Sequence, residues 1–429
     1  LSGLPHDRLE KLLPWLDHAR ELGATALLLG PVMESGSHGY DVVDYFQVDR
    51  RLGERSTMAR MAAEARGRGL RLVMDGVFHH VGRDFWAFRD VREKGRESRF
   101  IDWFHLDFNG SSPFNDPFSY KAWNGCYDLV KLNLSNPEVR DHLFEAVAAW
   151  VREYQIDGLR LDAADHLDME FMRDLGGWCR RLKPDFWLMG EVVKGPYSPW
   201  LEDGGLDSVT NYECYKGLYS SHNDGNYHEI AYSLRRQYGE YGPSGAASLY
   251  TFVDNHDVDR VASRLDNPAY LYPLYCLLFT IPGSPAIYYG SEFGLQGVKF
   301  RLHDWPLRPA LNLSQLRGNP RFSDLFRAIT RLASLRTKLP ALRRGDFRQI
   351  FLSHRRLIFS RRTPDQWVIV AVSAEREMME QEVILPEPIN GRLVDLLNPG
   401  QQFEIKEGKA KRVPLWPYWP RVMEVQKGW

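Results

Sequence analysis

The feature that most constrains this chain is an alternation. Seven short apolar runs, Ala26 to Val32, Leu70 to Phe78, Asp157 to Ala163, Phe186 to Val192, Ser208 to Glu213, Leu249 to Asp254 and Ala286 to Gly290, are separated by longer amphipathic stretches. The runs are too short for helices and carry little of the every-second-residue polarity of a half-exposed strand, so they read as strands covered on both faces. The intervening stretches Asp7 to Leu22, Thr57 to Arg68, Pro137 to Tyr154, His166 to Leu182, Tyr227 to Tyr238 and Ala269 to Thr280 read as helices, and Asn136 followed by Pro137 is a helix start signal. Strands that alternate with helices pair in parallel, because a parallel neighbour is reached only by a crossover. The expected architecture is a parallel sheet or barrel.

Two intervals break the rhythm. From Val81 to Asn133 the chain is rich in Phe, Trp, Asn, Asp, Ser and Pro, with no clear helical period after Glu97. That is too long for a plain loop and reads as a subdomain inserted on the functional face of the barrel. After Gly345 the helical pattern stops, and Leu357 to Arg361, Trp367 to Ser373, Glu382 to Leu385 and Arg421 to Val425 read as strands of a C-terminal antiparallel β domain. The expected division is a barrel over 1–80 and 134–344, a B-type subdomain over 81–133 and a β-sandwich over 345–429.

Composition narrows the partners. Lys plus Arg number 55 against 56 acids, so the chain has no global field for nucleic acid or an anionic membrane. Asn267 to Ser291 lacks charge over a membrane-spanning length, but five helix-breaking residues, Pro268, Pro273, Pro282, Gly283 and Pro285, argue against a span. Thirteen Trp and 20 Tyr suit a neutral sugar, whose apolar faces and hydroxyl rim match amphipathic rings, and equally suit a large core. Cys126, Cys179, Cys214 and Cys276 lack metal-binding or disulfide-framework spacing and read as buried free thiols. The chain opens at Leu1 with no signal peptide in view, and a cytoplasmic location is expected. Oligomeric state is not legible.

Polar residues concentrate where four of the strands end, in Met74 to His80, Gly158 to His166, Met189 to Val192 and Phe252 to Asp257. Parallel strands bring their C-terminal ends to one rim, so these segments are expected to converge. Glycosidic cleavage passes through an oxocarbenium-like state and needs two carboxyl groups flanking the bond, about 5–5.5 Å apart for retention. Asp162 and Glu191 supply such a pair. Arg160, two residues before Asp162, shares its strand face and would hold that carboxylate ionised. Glu191 would have to stay protonated, its pKa raised by burial and neighbouring carboxylates. Asp257 is a third carboxylate able to stabilise positive charge, with His80 and His256 as hydrogen-bond donors to the same ring. Taken singly, each has a plainer reading: Asp162, Glu191 and Arg160 as structural ion pairs, His80 as a core histidine, Asp257 as a turn cap.

Together these segments resemble the ordered motifs of the α-amylase superfamily, glycoside hydrolase family thirteen. Asp75, Val77 and His80 match its first motif; Gly158, Arg160 and Asp162 its second; Glu191 its third; Asn255, His256 and Asp257 its fourth. His38 to Tyr45 and Ile281 to Glu292 resemble two further segments, and LVKLN at Leu129 to Asn133 is similar to the MPKLN of the neopullulanase and cyclomaltodextrinase branch. The resemblance implies a (β/α)8 TIM barrel with a subdomain inserted after its third strand, and a retaining α-glycosidase acting on maltooligosaccharides, cyclodextrins or related α-glucans, with Asp162 as nucleophile, Glu191 as general acid/base and Asp257 as transition-state stabiliser. It implies substrate contacts from Tyr40, Asp41, His80, Arg160, His166 and His256, and no required cofactor.

Three departures stand out. His79 replaces the Asn that ligates calcium in many amylases, so the common calcium site is not expected; Asp165 stands where many amylases carry Lys; and no aromatic first barrel strand precedes the helix near Asp7, which reads as N-terminal truncation in preference to closure of the barrel by another segment. The competing readings are a transglycosylase that passes the same glucosyl-enzyme to a sugar hydroxyl, and a non-catalytic binding or transporter-associated homologue.

Overall fold

In the computed structural model, which describes residues 7–300 and 304–428, the first five apolar runs pair as one parallel sheet. Its strands are β1 (Ala26–Leu29), β2 (Arg71–Gly76), β3 (Gly158–Leu161), β4 (Trp187–Gly190) and β5 (Ser208–Val209), each hydrogen-bonded to its neighbour in chain order. The register of β3 on β2 sets Arg160 opposite Asp75, and that of β4 on β3 sets Met189 opposite Arg160. All four residues of β3 are buried, as expected of a strand covered on both faces. Gly190 closes β4 because a Cβ there would stand 2.5 Å from the Leu206 side chain and 2.9 Å from that of Ala164.

The helices between the strands start and stop for local reasons. Pro137–Tyr154 opens with Asn136 accepting from the Glu138 N–H and ends where Gln155 turns left-handed at φ 52°. Met169–Leu182 opens with Asp168 accepting from the Phe171 N–H at 2.9 Å. Between β2 and β3 the chain forms small antiparallel pieces, among them a three-stranded sheet of His80–Gly82, Cys126–Lys131 and Ala122–Trp123. A helix, Trp86–Lys94, packs Ala87, Phe88 and Val91 inward.

The chain divides between Val209 and Thr210 into two compact units. The run expected as a strand over Ser208 to Glu213 is a strand only at Ser208–Val209; in the second unit Asn211 accepts from the Cys214 N–H and caps the helix Tyr212–Asn223. The last expected strand, Ala286 to Gly290, is displaced to Ser284–Pro285, which pairs with Tyr250–Thr251; the Ala286 N–H donates to the Thr251 carbonyl at 2.8 Å, and Gly290 turns left-handed at φ 88°. Leu271–Thr280 is buried on nearly every face, and no helix among the described residues is long and apolar enough to cross a membrane.

After Gly345 come a six-stranded antiparallel sheet and a separate pair, Met379–Ile384 with Lys409–Leu415. Ile358, Ile369, Leu393 and Met423 of the larger sheet share one core with Val383, Val413 and Leu415 of the pair. All four cysteines are free; Cys179, Cys214 and Cys276 are buried as expected, whereas Cys126 is exposed because it opens a strand in the small three-stranded sheet.

Candidate active site

The centre of the first unit's strand ends is a guanidinium. Arg160, buried in β3, donates to both oxygens of Asp75 at 2.7 Å and to Asp162 Oδ1 at 3.1 Å, and its other terminal nitrogen stands 2.7 Å from Glu191 Oε2. A buried guanidinium is tolerated only when its charge and donors are matched, and here three carboxyl groups match them. The two expected catalytic carboxyls thus share one cation, side by side.

The backbone fixes each of them. The Glu191 N–H donates to the Leu161 carbonyl at 2.9 Å, so β4 delivers Glu191 to the end of β3. Just beyond, Ala163 turns left-handed at φ 47° and its N–H donates to Glu191 Oε2 at 3.2 Å. A left-handed alanine is strained, and strain of this kind persists where surrounding contacts over-determine the backbone.

Burial pushes the Asp162 carboxyl well above the usual range; the Asp75 and Glu191 carboxylates add to the push and Arg160 opposes it. The raised carboxyl was expected at Glu191. Three acids around one cation carry excess negative charge, and a retained proton relieves it.

The expected sugar contacts of the first unit fall into two groups. Tyr40 donates its hydroxyl to Asp75 Oδ2 at 3.2 Å, which joins it to the Arg160 cluster. Asp41 accepts from the His38 N–H at 3.0 Å and the Ser37 hydroxyl at 2.8 Å, so its carboxylate braces its own turn. His80 is buried with Nδ1 3.3 Å from Nδ1 of His79, while its Nε2 has no hydrogen-bond partner. Burial, with neighbouring His38, holds His80 down at about 4; burial, with His80 next to it, holds His79 at about 3. Both rings are neutral at ordinary pH.

Trp123 gathers these histidines. Its ring lies 5.8 Å from His80 in a stacked arrangement, 5.1 Å from His79 and 4.7 Å from His166. His166 stands 3.7 Å from Asp165, whose carboxylate accepts from the Val193 N–H at 3.3 Å and whose N–H donates to the Glu191 carbonyl. His79 is packed among rings, and among the described residues no group of three or more His, Cys, Asp or Glu side chains could hold a metal ion.

In the second unit the motif Asn255, His256, Asp257 follows the short strand Tyr250–Thr251. Asn255 Oδ1 accepts from the N–H groups of Asp257 at 2.8 Å and Val258 at 3.1 Å, forming a tight turn. The Asp257 carboxylate meets His256 Nε2 at 3.1 Å and Arg308 at 3.7 Å.

Sequence reading singled out Asp75 only as a motif match, and Trp123 not at all. The register of β3 on β2 makes Asp75 the bidentate anchor of Arg160, and register is not written in either strand. Trp123 lay in an interval without period, six residues before LVKLN.

With this geometry established, likeness to known proteins identifies the chain. The family described as "Alpha amylase, catalytic domain" matches residues 9–367. The chain belongs to the α-amylase family. It is a glycoside hydrolase, and its architecture is a TIM-barrel catalytic domain with a C-terminal antiparallel sheet domain. A cyclomaltodextrinase of Geobacillus thermopakistaniensis (strain MAS1) is 30% identical over 96% of this chain and 69% of its own length. Neopullulanase 2 of Thermoactinomyces vulgaris is 33% identical over 95% of this chain and 68% of its own. Among solved structures, the cyclic α-maltosyl-(1→6)-maltose hydrolase of Arthrobacter globiformis superposes with a TM-score of 0.84 at 28% identity, covering 98% of this chain and 89% of that one.

Proposed function

We propose that this α-amylase family member hydrolyses α-glucosidic bonds in maltooligosaccharides, cyclodextrins and related short α-glucans by a retaining double displacement. The observation that carries the reading is one guanidinium, that of Arg160, gripping the carboxyl groups of Asp162 and Glu191 at adjacent strand ends. Asp162 attacks the anomeric carbon while Glu191 delivers a proton to the leaving oxygen. Glu191 then removes a proton from water, which displaces the sugar from Asp162. Tyr40, Asp41, His80 and His166 contact the substrate alongside Arg160, and the orphaned Nε2 of neutral His80 is suited to a sugar hydroxyl. The roles of Asp257 as transition-state stabiliser and of His256 as a sugar contact rest on their motif. No cofactor enters the scheme.

The short-substrate assignment is supported by LVKLN and by the printed names of the relatives, a cyclomaltodextrinase and a neopullulanase. A cytoplasmic site of action is supported by the unbridged thiols and by an intracellular maltogenic amylase of Bacillus subtilis, 30% identical over 67% of this chain and 49% of its own length. The division into a barrel (1–80 and 134–344), an inserted subdomain (81–133) and a β-sandwich (345–429) belongs to the same proposal.

The test is a time course on maltotriose, γ-cyclodextrin, pullulan and isomaltose, with and without chelator. Short linear products from maltotriose and cyclodextrin, unaffected by chelator, are expected. Products longer than maltotriose would instead assign transfer to a sugar hydroxyl, and no turnover of any substrate would overturn the reading.

A further inference from the structure

The second unit buries a carboxylate that the reaction scheme does not use. Asp254 is 2% exposed, and its Oδ2 accepts from the Val261 N–H at 2.9 Å and from the Ser291 hydroxyl at 2.7 Å. Those two donors come from different segments: Val261 ends the loop that carries Asn255, His256 and Asp257, and Ser291 belongs to the segment after Ser284–Pro285. Ser291 in turn accepts from the fully buried Arg260 at 3.2 Å, and Arg260 also donates to the carbonyls of Tyr289 at 2.8 Å and Leu307 at 2.9 Å. A relay therefore runs from Arg260 through Ser291 to Asp254 and closes the base of the loop.

We propose that Asp254 is a positioning residue for Asp257: its carboxylate clamps the two ends of the loop 254–261 and so fixes where the Asp257 carboxylate stands. The inference rests on the role of Asp257 in the proposed mechanism.

A neutral amide could accept the same two hydrogen bonds. The charge costs stability, because Asp254 Oδ1 has no hydrogen-bond partner and buried Glu292 lies close enough to repel it. Retaining a charge at that cost is understandable if it tightens the clamp, since hydrogen bonds to an ionised acceptor are roughly twice as strong as neutral ones. The ionisable groups facing Asp254 are Arg260, Glu292 and Tyr275. Burial first, with Glu292 adding, raises Asp254 to about 6, while the Val261 N–H, the Ser291 hydroxyl and Arg260 oppose the rise. The clamp is thus charged above about pH 6 and neutral below it.

The experiment compares Asp254→Asn, Ser291→Ala and Asp257→Asn with the parent, reading Tm, kcat and KM for maltotriose from pH 4.5 to 8. For Asp254→Asn the expected result is a Tm at pH 7.5 equal to or above the parent's, with kcat lowered roughly 10- to 100-fold, the loss that a misplaced catalytic group produces, and KM changed little. The rise of parent kcat through about pH 6 is expected to vanish in Asp254→Asn and to move to higher pH in Ser291→Ala, which loses a donor that favours the ionised form. A lower Tm in Asp254→Asn with kcat per folded molecule and pH profile unchanged would overturn the proposal and make Asp254 merely structural. Asp257→Asn is expected to lose nearly all activity; full activity there would overturn the role of Asp257 itself, a separate failure.

Discussion

Arg160 is the residue on which the rest of the site depends. Its planar fork serves Asp75 and Asp162 from one nitrogen and Glu191 from the other, a geometry a lysine ammonium cannot reproduce. Arg160→Lys is therefore expected to lower kcat on maltotriose by about 10²-fold or more and to lower Tm, because buried carboxyls lose donors; steady-state kinetics and a thermal melt check both. The role of Glu191 separates from that of Asp162 by leaving group. Glu191→Gln should lose about 10²- to 10⁴-fold on maltotriose, and far less on formation of the glycosyl-enzyme from α-glucosyl fluoride, whose leaving group needs little protonation. Asp162→Asn should be inactive on both. The sequence disclosed Arg160, Asp162 and Glu191 because strand ends in a parallel sheet share a rim. It did not disclose the anchoring by Asp75, which depends on one strand's register against another.

At the scale of elements, the short strand His80–Gly82 and the hairpin bearing Trp123 carry a cluster of histidines kept neutral by burial. Unfolded imidazoles take up protons near pH 6.5, whereas in the fold His80 waits until about 4 and His79 until about 3. Between those values the unfolded chain binds more protons, so stability falls as pH drops from about 6.5. His79→Gln is expected to flatten that fall, measured as urea midpoints at pH 4.5, 5.5 and 7. Asp254 works in the opposite sense: its raised pKa means that the unfolded chain releases its proton first, and stability declines as pH rises from about 4 to about 6. Elements with strong local signals were legible, such as the capped helix Pro137–Tyr154, whose bounds match the pattern. The strand expected over Ser208 to Glu213 forms at Ser208–Val209 but stops early, because the side chain of Asn211 caps a helix from Tyr212. Most of the antiparallel pieces between β2 and β3 had no period to read, since strands of two or three residues are too short to show one.

At the scale of the molecule, the alternation of strand and helix was enough to specify a parallel α/β architecture, and the loss of helical period after Gly345 marked the antiparallel region. Hidden from the sequence were the buried arginines that tie segments of the second unit together. Arg361, on a strand of the six-stranded sheet, donates to the carbonyls of Thr280 at 2.6 Å, Gly345 at 3.0 Å and Asp346 at 2.9 Å; Arg336 donates to those of Phe279 at 2.9 Å and Ile281 at 3.3 Å. Burial lowers Arg361 to about 9 and Arg336 to about 10. In sequence such residues look like ordinary surface charge. Arg361→Met strands three carbonyls and is expected to cost about 2–5 kcal/mol of stability in urea unfolding, with kcat per folded molecule unchanged.

The central claim is a covalent sugar on Asp162, and trapping it tests that claim directly. Incubation with 5-fluoro-α-D-glucosyl fluoride, followed by proteolysis and mass spectrometry, should find one fluoroglucosyl group on the peptide containing Asp162, with fragmentation assigning it to that side chain. An intact chain that turns over maltotriose yet acquires no label, or carries it on any other residue, would contradict the account.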